Sequence, residues 1–482
     1  MEKSLLTKER EEKREGCCLS ITTWGWGHGE FVQEAKRIGY LAGPMVAVNL
    51  SQYFMQIISI MMVGHLSQLS LSSTAIAISL AAVSGFSPLV NPFVYLIIYY
   101  GLSTALETLC GQAYGAQQYQ KLANQTYTAI FSIILVCLPL SLVWFYMGKL
   151  LVLMGQDPAI SYEAGKFIIW LIPALFAYGT LQALVQYFQT QSLIIPLLVS
   201  SCVTLCFHIP LCWVLVYKSR LGHLGAALAI GMSYWLNVIL LGLYMKYTSA
   251  SSKTRVPISM EMFRGIGEFF HFAIPSAVMI CLEWWSFELL ILLSGLLPNP
   301  TLETSVLSVC LSTISTLYMI PDGIAATAST RVSNELGAGN PQGACSAVSV
   351  VMSITVAQAL ILSFALFASR GVFGYVFSND MEVVDYVTTM APLVCLSVIL
   401  DNLHGVLSGI ARGCGWQDLG AYVNLGAYYL CGLPVAAILG FWLQMRGQGL
   451  WIGILVGASV QALLLSIITS CTNWEKQASK AR

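Results

Sequence analysis

The chain has 482 residues, 57% of them hydrophobic and only 10% charged, with a mean hydropathy of +0.73. A soluble domain carries about a quarter charged residues, so this composition excludes a water-facing surface of matching size and, with it, an ordinary soluble enzyme. The 23 Lys and Arg balance 23 Asp and Glu, and that neutral total excludes the basic bias of a nucleic-acid binder.

Residues 1–38 open with a mixed-charge run from Glu9 to Glu15 and hold no apolar stretch long enough for a signal peptide. They are expected to form a solvated, disordered cytoplasmic tail. A bilayer core of about 30 Å takes roughly 20 helical residues. Apolar cores of that length follow at about 40–63, 73–105, 121–147, 163–186, 193–216, 224–246, 266–297, 304–328, 344–368, 384–408, 420–442 and 449–471, twelve in all. A membrane β-barrel would instead show segments of about ten residues alternating apolar and polar. Runs such as Ile57-Ile58-Ser59-Ile60-Met61-Met62-Val63 are apolar on all sides, so the expected fold is an all-α polytopic membrane protein.

The polar stretch from Lys246 to Arg264 is the longest inside the chain and separates six spans from six. The resulting domains are an N-lobe over 39–247, a cytoplasmic linker over 248–265, a C-lobe over 266–472 and a cytoplasmic tail over 473–482. With the N-terminus cytoplasmic, only Lys149, Lys166, Lys218, Arg220, Arg370 and Arg446 of the 23 Lys and Arg fall outside, as the positive-inside rule requires.

Six spans per half return the second half in the orientation of the first, so a duplication gives a parallel repeat. Pro44, Gln52 and Gly64, spaced by 8 and 12, recur as Pro275, Glu283 and Gly295 with the same spacings. Gly101, Thr108, Gly115 and Ala116 recur as Gly323, Thr330, Gly337 and Ala338, and Pro173, Leu181 and Gln182 as Pro392, Leu400 and Asp401. At two matched places, then, the first half carries neutral Gln52 and Gln182 where the second carries Glu283 and Asp401. Both acids follow apolar runs. An ionised carboxylate at membrane depth costs several kcal/mol unless it faces water or a partner, which makes the pair a candidate proton or cation relay; the plainer alternative is a buried structural hydrogen bond. Glu288 lies about 140° round the helix from Glu283, lining a cavity or rising to the outer interface. His404 sits one turn from Asp401 on the same face, close enough to share its proton or to bond between helices. Glu107 and Arg331 to Glu335 are placed at inner span ends, and Asp322 between Pro321 and Gly323 at a helix break.

No nucleotide-binding G-x-x-x-x-G-K-[ST] loop occurs, the six histidines show no metal-ligand spacing and the fourteen cysteines lack C-x-x-C. No metal site, cofactor or enzymatic activity is expected. A duplicated twelve-span protein without an ATPase, carrying buried acids in one half, reads as a secondary transporter driven by an ion gradient.

The run from Pro321-Asp322-Gly323 through Arg331-Val332-Ser333-Asn334-Glu335-Leu336-Gly337-Ala338-Gly339-Asn340-Pro341 closely resembles a signature of eukaryotic multidrug and toxic compound extrusion (MATE) transporters, as does Leu407-Ser408-Gly409-Ile410-Ala411-Arg412-Gly413-Cys414-Gly415-Trp416-Gln417. Gly64-His65-Leu66 and Glu107-Thr108-Leu109-Cys110-Gly111-Gln112-Ala113-Tyr114-Gly115-Ala116 are similar to the family's first-half motifs. The likeness covers roughly residues 35–472 and is greatest to the plant detoxification branch. It implies two pseudo-symmetric six-helix lobes forming a V around a central cavity, and export of organic compounds in exchange for protons. It also implies proton coupling at the acids of the seventh and tenth helices, which are Glu283 and Asp401 here. A first-lobe cation site of the prokaryotic kind does not fit, because Gln52 and Gln182 cannot titrate.

On that footing Tyr53, Trp284, Ser286 and Phe287 join Gln52 and Gln182 as cavity residues, the aromatic faces suiting flat or cationic compounds. Pro44 and Pro275, each removing a backbone hydrogen bond, are candidate bending points or static kinks. The expected partners are protons, small organic substrates such as xenobiotics or secondary metabolites, and the lipid bilayer, with the protein monomeric in the plasma or vacuolar membrane. The alternatives are a sodium-coupled or lipid-type exporter of the same fold, and a channel or transport-like receptor.

Overall fold

The computed structural model describes residues 28–66 and 95–482 except Met154, Gln156, Ile258 and 377–379, together with Ser70, Ser73, Thr74 and Ala77. Its long helices, in chain order, are α1 His28–Gly64, α2 Tyr95–Gly115, α3 Tyr119–Phe145, α4 Pro158–Thr190, α5 Ile194–Trp213, α6 His223–Tyr247, α7 Ile266–Ser294, α8 Pro300–Gly337, α9 Pro341–Ala368, α10 Met381–Cys414, α11 Gln417–Trp442 and α12 Arg446–Ser470, followed by the short α13 Trp474–Ala481. No strand occurs among the described residues. Eleven of these helices are long and apolar enough to cross a membrane. The second span expected from the sequence, 73–105, lies largely outside the described residues, and α2 is its described part. Helices are the solution lipid permits, since each satisfies its own backbone N–H and C=O groups.

Local chemistry sets the ends. Asp157 caps α4 by accepting from the amides of Ala159 and Ile160, with Pro158 in the first turn where its missing N–H is harmless. Asn340 accepts from the Gly343 amide at the start of α9, and Asp380 from the Glu382 amide at the start of α10. Gly415 ends α10 in the left-handed region, φ 80°, where a side chain would be strained.

Three expectations change. Residues 28–38 are helical, not a disordered tail, and bury Glu34 and Ile38. Pro321-Asp322-Gly323 does not break a helix, for α8 runs through it. The linker is packed: buried Thr254 bonds Tyr187 and Gln191, and the Tyr127 hydroxyl donates to the Val256 carbonyl.

The chain folds as two compact units. Unit I holds the described residues up to Val46, Gly111–Gln117 and Ser286–Arg482; unit II holds those of Ala47–Cys110 and Gln118–Trp285. These are not coextensive with the lobes 39–247 and 266–472. Unit I has two apolar clusters, one around Ile324, Val332, Val351, Ile410 and Trp474, the other around Leu290, Leu307, Met390, Trp451 and Ile454. Large apolar side chains are turned outward along the spans, among them Phe364, Ile361 and Leu142. That is the surface a lipid-facing protein presents.

Glycines carry the repeat into three dimensions. In unit I a Cβ on Gly115 would strike the Asn334 carbonyl, and one on Gly337 would strike the Gln112 carbonyl. Since 115 matches 337 and 112 matches 334, one contact is made twice with the roles exchanged. Gly323 packs on Val46 within unit I, and Gly101 packs on Ala277 within unit II, again an exchanged pair. Gly225 faces Leu215 as Gly449 faces Leu439, both residues displaced by the same 224 positions. Small residues allow such backbone approach in membranes, where packing must hold helices together without help from the hydrophobic effect. α5 continues into a π-helical turn, Val214–Lys218, and α11 contains two π-helical stretches, Leu425–Gly432 and Ile438–Trp442.

Candidate functional site

Asp401 lies two-thirds of the way along α10, 5% exposed, with Oδ1 3.1 Å from Nε2 of buried His404. The three-residue spacing places both side chains on one face, as helical geometry dictates. Asp401 Oδ2 has no hydrogen-bond partner among the described residues. Gly405, beside them, leaves room for the Tyr318 ring, whose hydroxyl would lie 3.2 Å from a Cβ there. A carboxylate next to a neutral imidazole carries one negative charge that a single proton cancels, so this pair can bind and release a proton without a second ion.

Glu283 is 8% exposed in α7, a helix that continues unbroken through Pro275. It belongs to unit II and Asp401 to unit I. Glu288 is half-buried further along α7. Pro44 likewise sits inside an unbroken α1.

Within unit II, Gln182 Nε2 donates to Gln52 Oε1 at 3.2 Å, so the neutral residues matched to the two acids bond each other. One turn along α1, Gln56 Nε2 donates to the hydroxyl of Tyr234, whose ring stands 5.4 Å from that of Tyr178. Tyr53 and Trp284 are half-buried, Ser286 is buried, and Phe287 packs into the apolar cluster of Leu290 and Leu307.

Several buried polar groups escaped the sequence. Glu107 is wholly buried and its Oε1 accepts from Gln186 Nε2 at 3.3 Å, so it does not sit at a solvated span end. Glu303 is buried too, accepting at Oε2 from the Tyr386 hydroxyl (2.8 Å) and the Gly447 amide (3.1 Å). His208 bonds Ser59 and Ser233. An acid near a span end and a lone histidine look alike in sequence whether buried or not, and only the partner helices distinguish them. The long motif has a structural basis. Arg331 Nε donates to Glu34 Oε1 and Nη2 to Glu335 Oε1, both at 2.8 Å, while Asn340 Nδ2 donates to Glu335 Oε2. This fork ties the first turns of α1 to the end of α8.

The family model described as MatE matches residues 44–214 and 275–438, one copy in each half. Protein DETOXIFICATION 12 of Arabidopsis thaliana is 61% identical over 454 residues, covering 94% of this chain and 92% of that protein. Protein DETOXIFICATION 14 of the same plant is 62% identical over 452 residues, with 94% and 91% covered. The crystal structure of the eukaryotic MATE transporter AtDTX14 matches with a TM-score of 0.89 and 61% identity, over 94% of this chain and 99% of that one. An outward-facing MATE family transporter of the MOP superfamily, only 14% identical, shares the fold with a TM-score of 0.80 over 93% of this chain and 96% of its own. With both halves matched and curated relatives aligned over nearly their whole length, the chain belongs to the MATE family: it is a multi-pass membrane transporter, not an enzyme.

Proposed function

We propose that the chain exports organic compounds, whether xenobiotics, organic cations or secondary metabolites, by proton antiport. The observation that carries this reading is Asp401, a carboxyl buried in the bilayer-spanning part of α10 with one oxygen on His404 and the other unpartnered among the described residues. Such a group is costly in a membrane helix and rarely serves packing alone. Glu283 is the second acid, at the place its repeat partner Gln52 cannot titrate.

In the cycle, protons from an acidic exterior or vacuolar lumen neutralise Glu283 and the Asp401–His404 pair. Neutralisation removes the charge that holds a cationic substrate, and the substrate leaves. The lobes 39–247 and 266–472 then turn the site to the cytosol, the acids lose their protons, and substrate binds again. By linkage, proton and substrate weaken each other's binding by the same factor. Gln52, Tyr53, Gln182 and Trp284 supply neutral hydrogen bonds and aromatic faces along the path, and Pro44 and Pro275 are the positions where α1 and α7 bend. The protein works as a monomer in the plasma or vacuolar membrane, with both termini in the cytosol.

Proteoliposomes test this directly. Dye or alkaloid uptake should follow an imposed pH gradient and ignore sodium, and Glu283→Gln and Asp401→Asn should each lower it by about tenfold or more. Normal pH-driven uptake by both variants would sink the coupling assignment. Uptake driven by a sodium gradient would replace proton with sodium, and flux that needs no gradient would indicate a channel.

A further inference from the structure

The helix pair α5–α6 in unit II contains a polar column whose register can be read from one hydrogen bond. Ser233 Oγ gives its only proton to the Ala229 carbonyl at 2.7 Å, so at 2.8 Å it accepts from His208 Nδ1–H. His208 Nε2 faces Ser59 Oγ at 3.0 Å, and the ring is fully buried. The two helices are antiparallel, joined by a short loop. One turn on from this bond, Thr204 and Asn237 therefore face each other, 0% and 1% exposed. Asn237 Oδ1 and Nδ2 and Thr204 Oγ1 have no hydrogen-bond partner among the described residues. A further turn brings Ser200, which spends its proton on the Leu197 carbonyl and keeps lone pairs to accept with.

The matching pair α11–α12 in unit I, displaced by 224 residues, shows what fills such a slot. Gly432 and Gly457 stand where His208 and Ser233 stand, and a Cβ on Gly432 would lie 3.2 Å from the Gly457 Cα. One turn on, Tyr428 donates to Gln461 Oε1 at 2.8 Å, and Gln461 Nε2 donates to Asn424 Oδ1 at 2.8 Å. Tyr428, Gln461 and Asn424 match Thr204, Asn237 and Ser200. The longer trio reaches across and bonds itself; the shorter trio, at the same places, does not reach.

We infer that the slot between α5 and α6, lined by Asn237, Thr204 and Ser200, is a binding site for internal water. A buried amide left dry costs about 1–3 kcal/mol per unsatisfied group. Water offers two donors and two acceptors, the complement of an amide oxygen, an amide N–H and a hydroxyl. It needs about 30 Å³ and two to four polar partners, and the room given up in exchanging a phenol ring for a Thr methyl exceeds that. Water in this slot also lies one turn from His208, which makes α5–α6 the wet helix pair and α11–α12 the dry one.

The near-isosteric Thr204→Val separates the two possibilities by sign in the full chain. If water is bound, it loses a partner and the apparent Tm falls by about 2–4 °C; if the hydroxyl is a dry orphan, the Tm rises, and the inference is overturned. Replacing the trio by its counterparts, Ser200→Asn with Thr204→Tyr and Asn237→Gln, should expel the water and raise the Tm. At water-resolving resolution, density should appear within hydrogen-bonding distance of the Asn237 amide. An Asn237 amide bonded to protein atoms on both sides would overturn the site whether or not the triple variant folds.

Discussion

The two sequence halves share packing but not chemistry. Gly115 on Asn334 and Gly337 on Gln112 are the same contact with the roles exchanged, and Gly225 on Leu215 matches Gly449 on Leu439. Yet where the first half pairs Gln52 with Gln182 at 3.2 Å, the second carries Glu283 and Asp401, and Asp401 turns to His404. Backbone approach tolerates only small residues, whereas a side chain in a polar niche can change from amide to acid without moving a helix. Duplication thus leaves the scaffold fixed and the polar positions free to specialise.

The largest effect should come from erasing the chemical difference. Asp401→Gln gives the second half the residue of the first and should abolish pH-driven uptake while the detergent-solubilised protein keeps its elution profile. Retained pH-driven uptake would mean that the acid is structural. Next in size is the shared packing. Gly115→Val and Gly337→Val each force a side chain into a carbonyl, at about 1–3 kcal/mol or more. Thermal unfolding should show the two losses matching, and a clear inequality would break the symmetry of the contact. Arg331→Lys keeps the charge but loses the fork between Glu34 and Glu335, so the apparent Tm should drop by a few degrees, about 1 kcal/mol. The smallest effect is expected at the neutral pair. Gln182→Leu removes a membrane hydrogen bond worth about 0.6 kcal/mol, so transport KM should rise about threefold with the pH dependence unchanged.

Much of this was legible in the sequence because a bilayer narrows the choices. Helices are close to obligatory there, and α3 to α12 appear within a few residues of the apolar cores that announce them. Asp401–His404 was legible for a local reason, since three residues along a helix fix a shared face. Gln52–Gln182 bridges 130 positions, and no local spacing encodes such a bond. Polar content misled twice, at 28–38, where the mixed charges conceal the inward pair Glu34 and Ile38, and at Pro321-Asp322-Gly323, where a missing N–H and a flexible residue are held straight by neighbours. Glu107 was misplaced because burial of an acid depends on Gln186, on another helix.

The π-helical stretches bear on which changes of length the chain can accept. A π turn holds one residue more than the α turn it replaces. Deleting one residue within Leu425–Gly432 would let the helix relax to ordinary winding and swing everything beyond it by about 100°. Ala436 would then rotate off Gly453, against which it now packs. Substitutions there change one side chain, but a single-codon deletion would re-aim half a span.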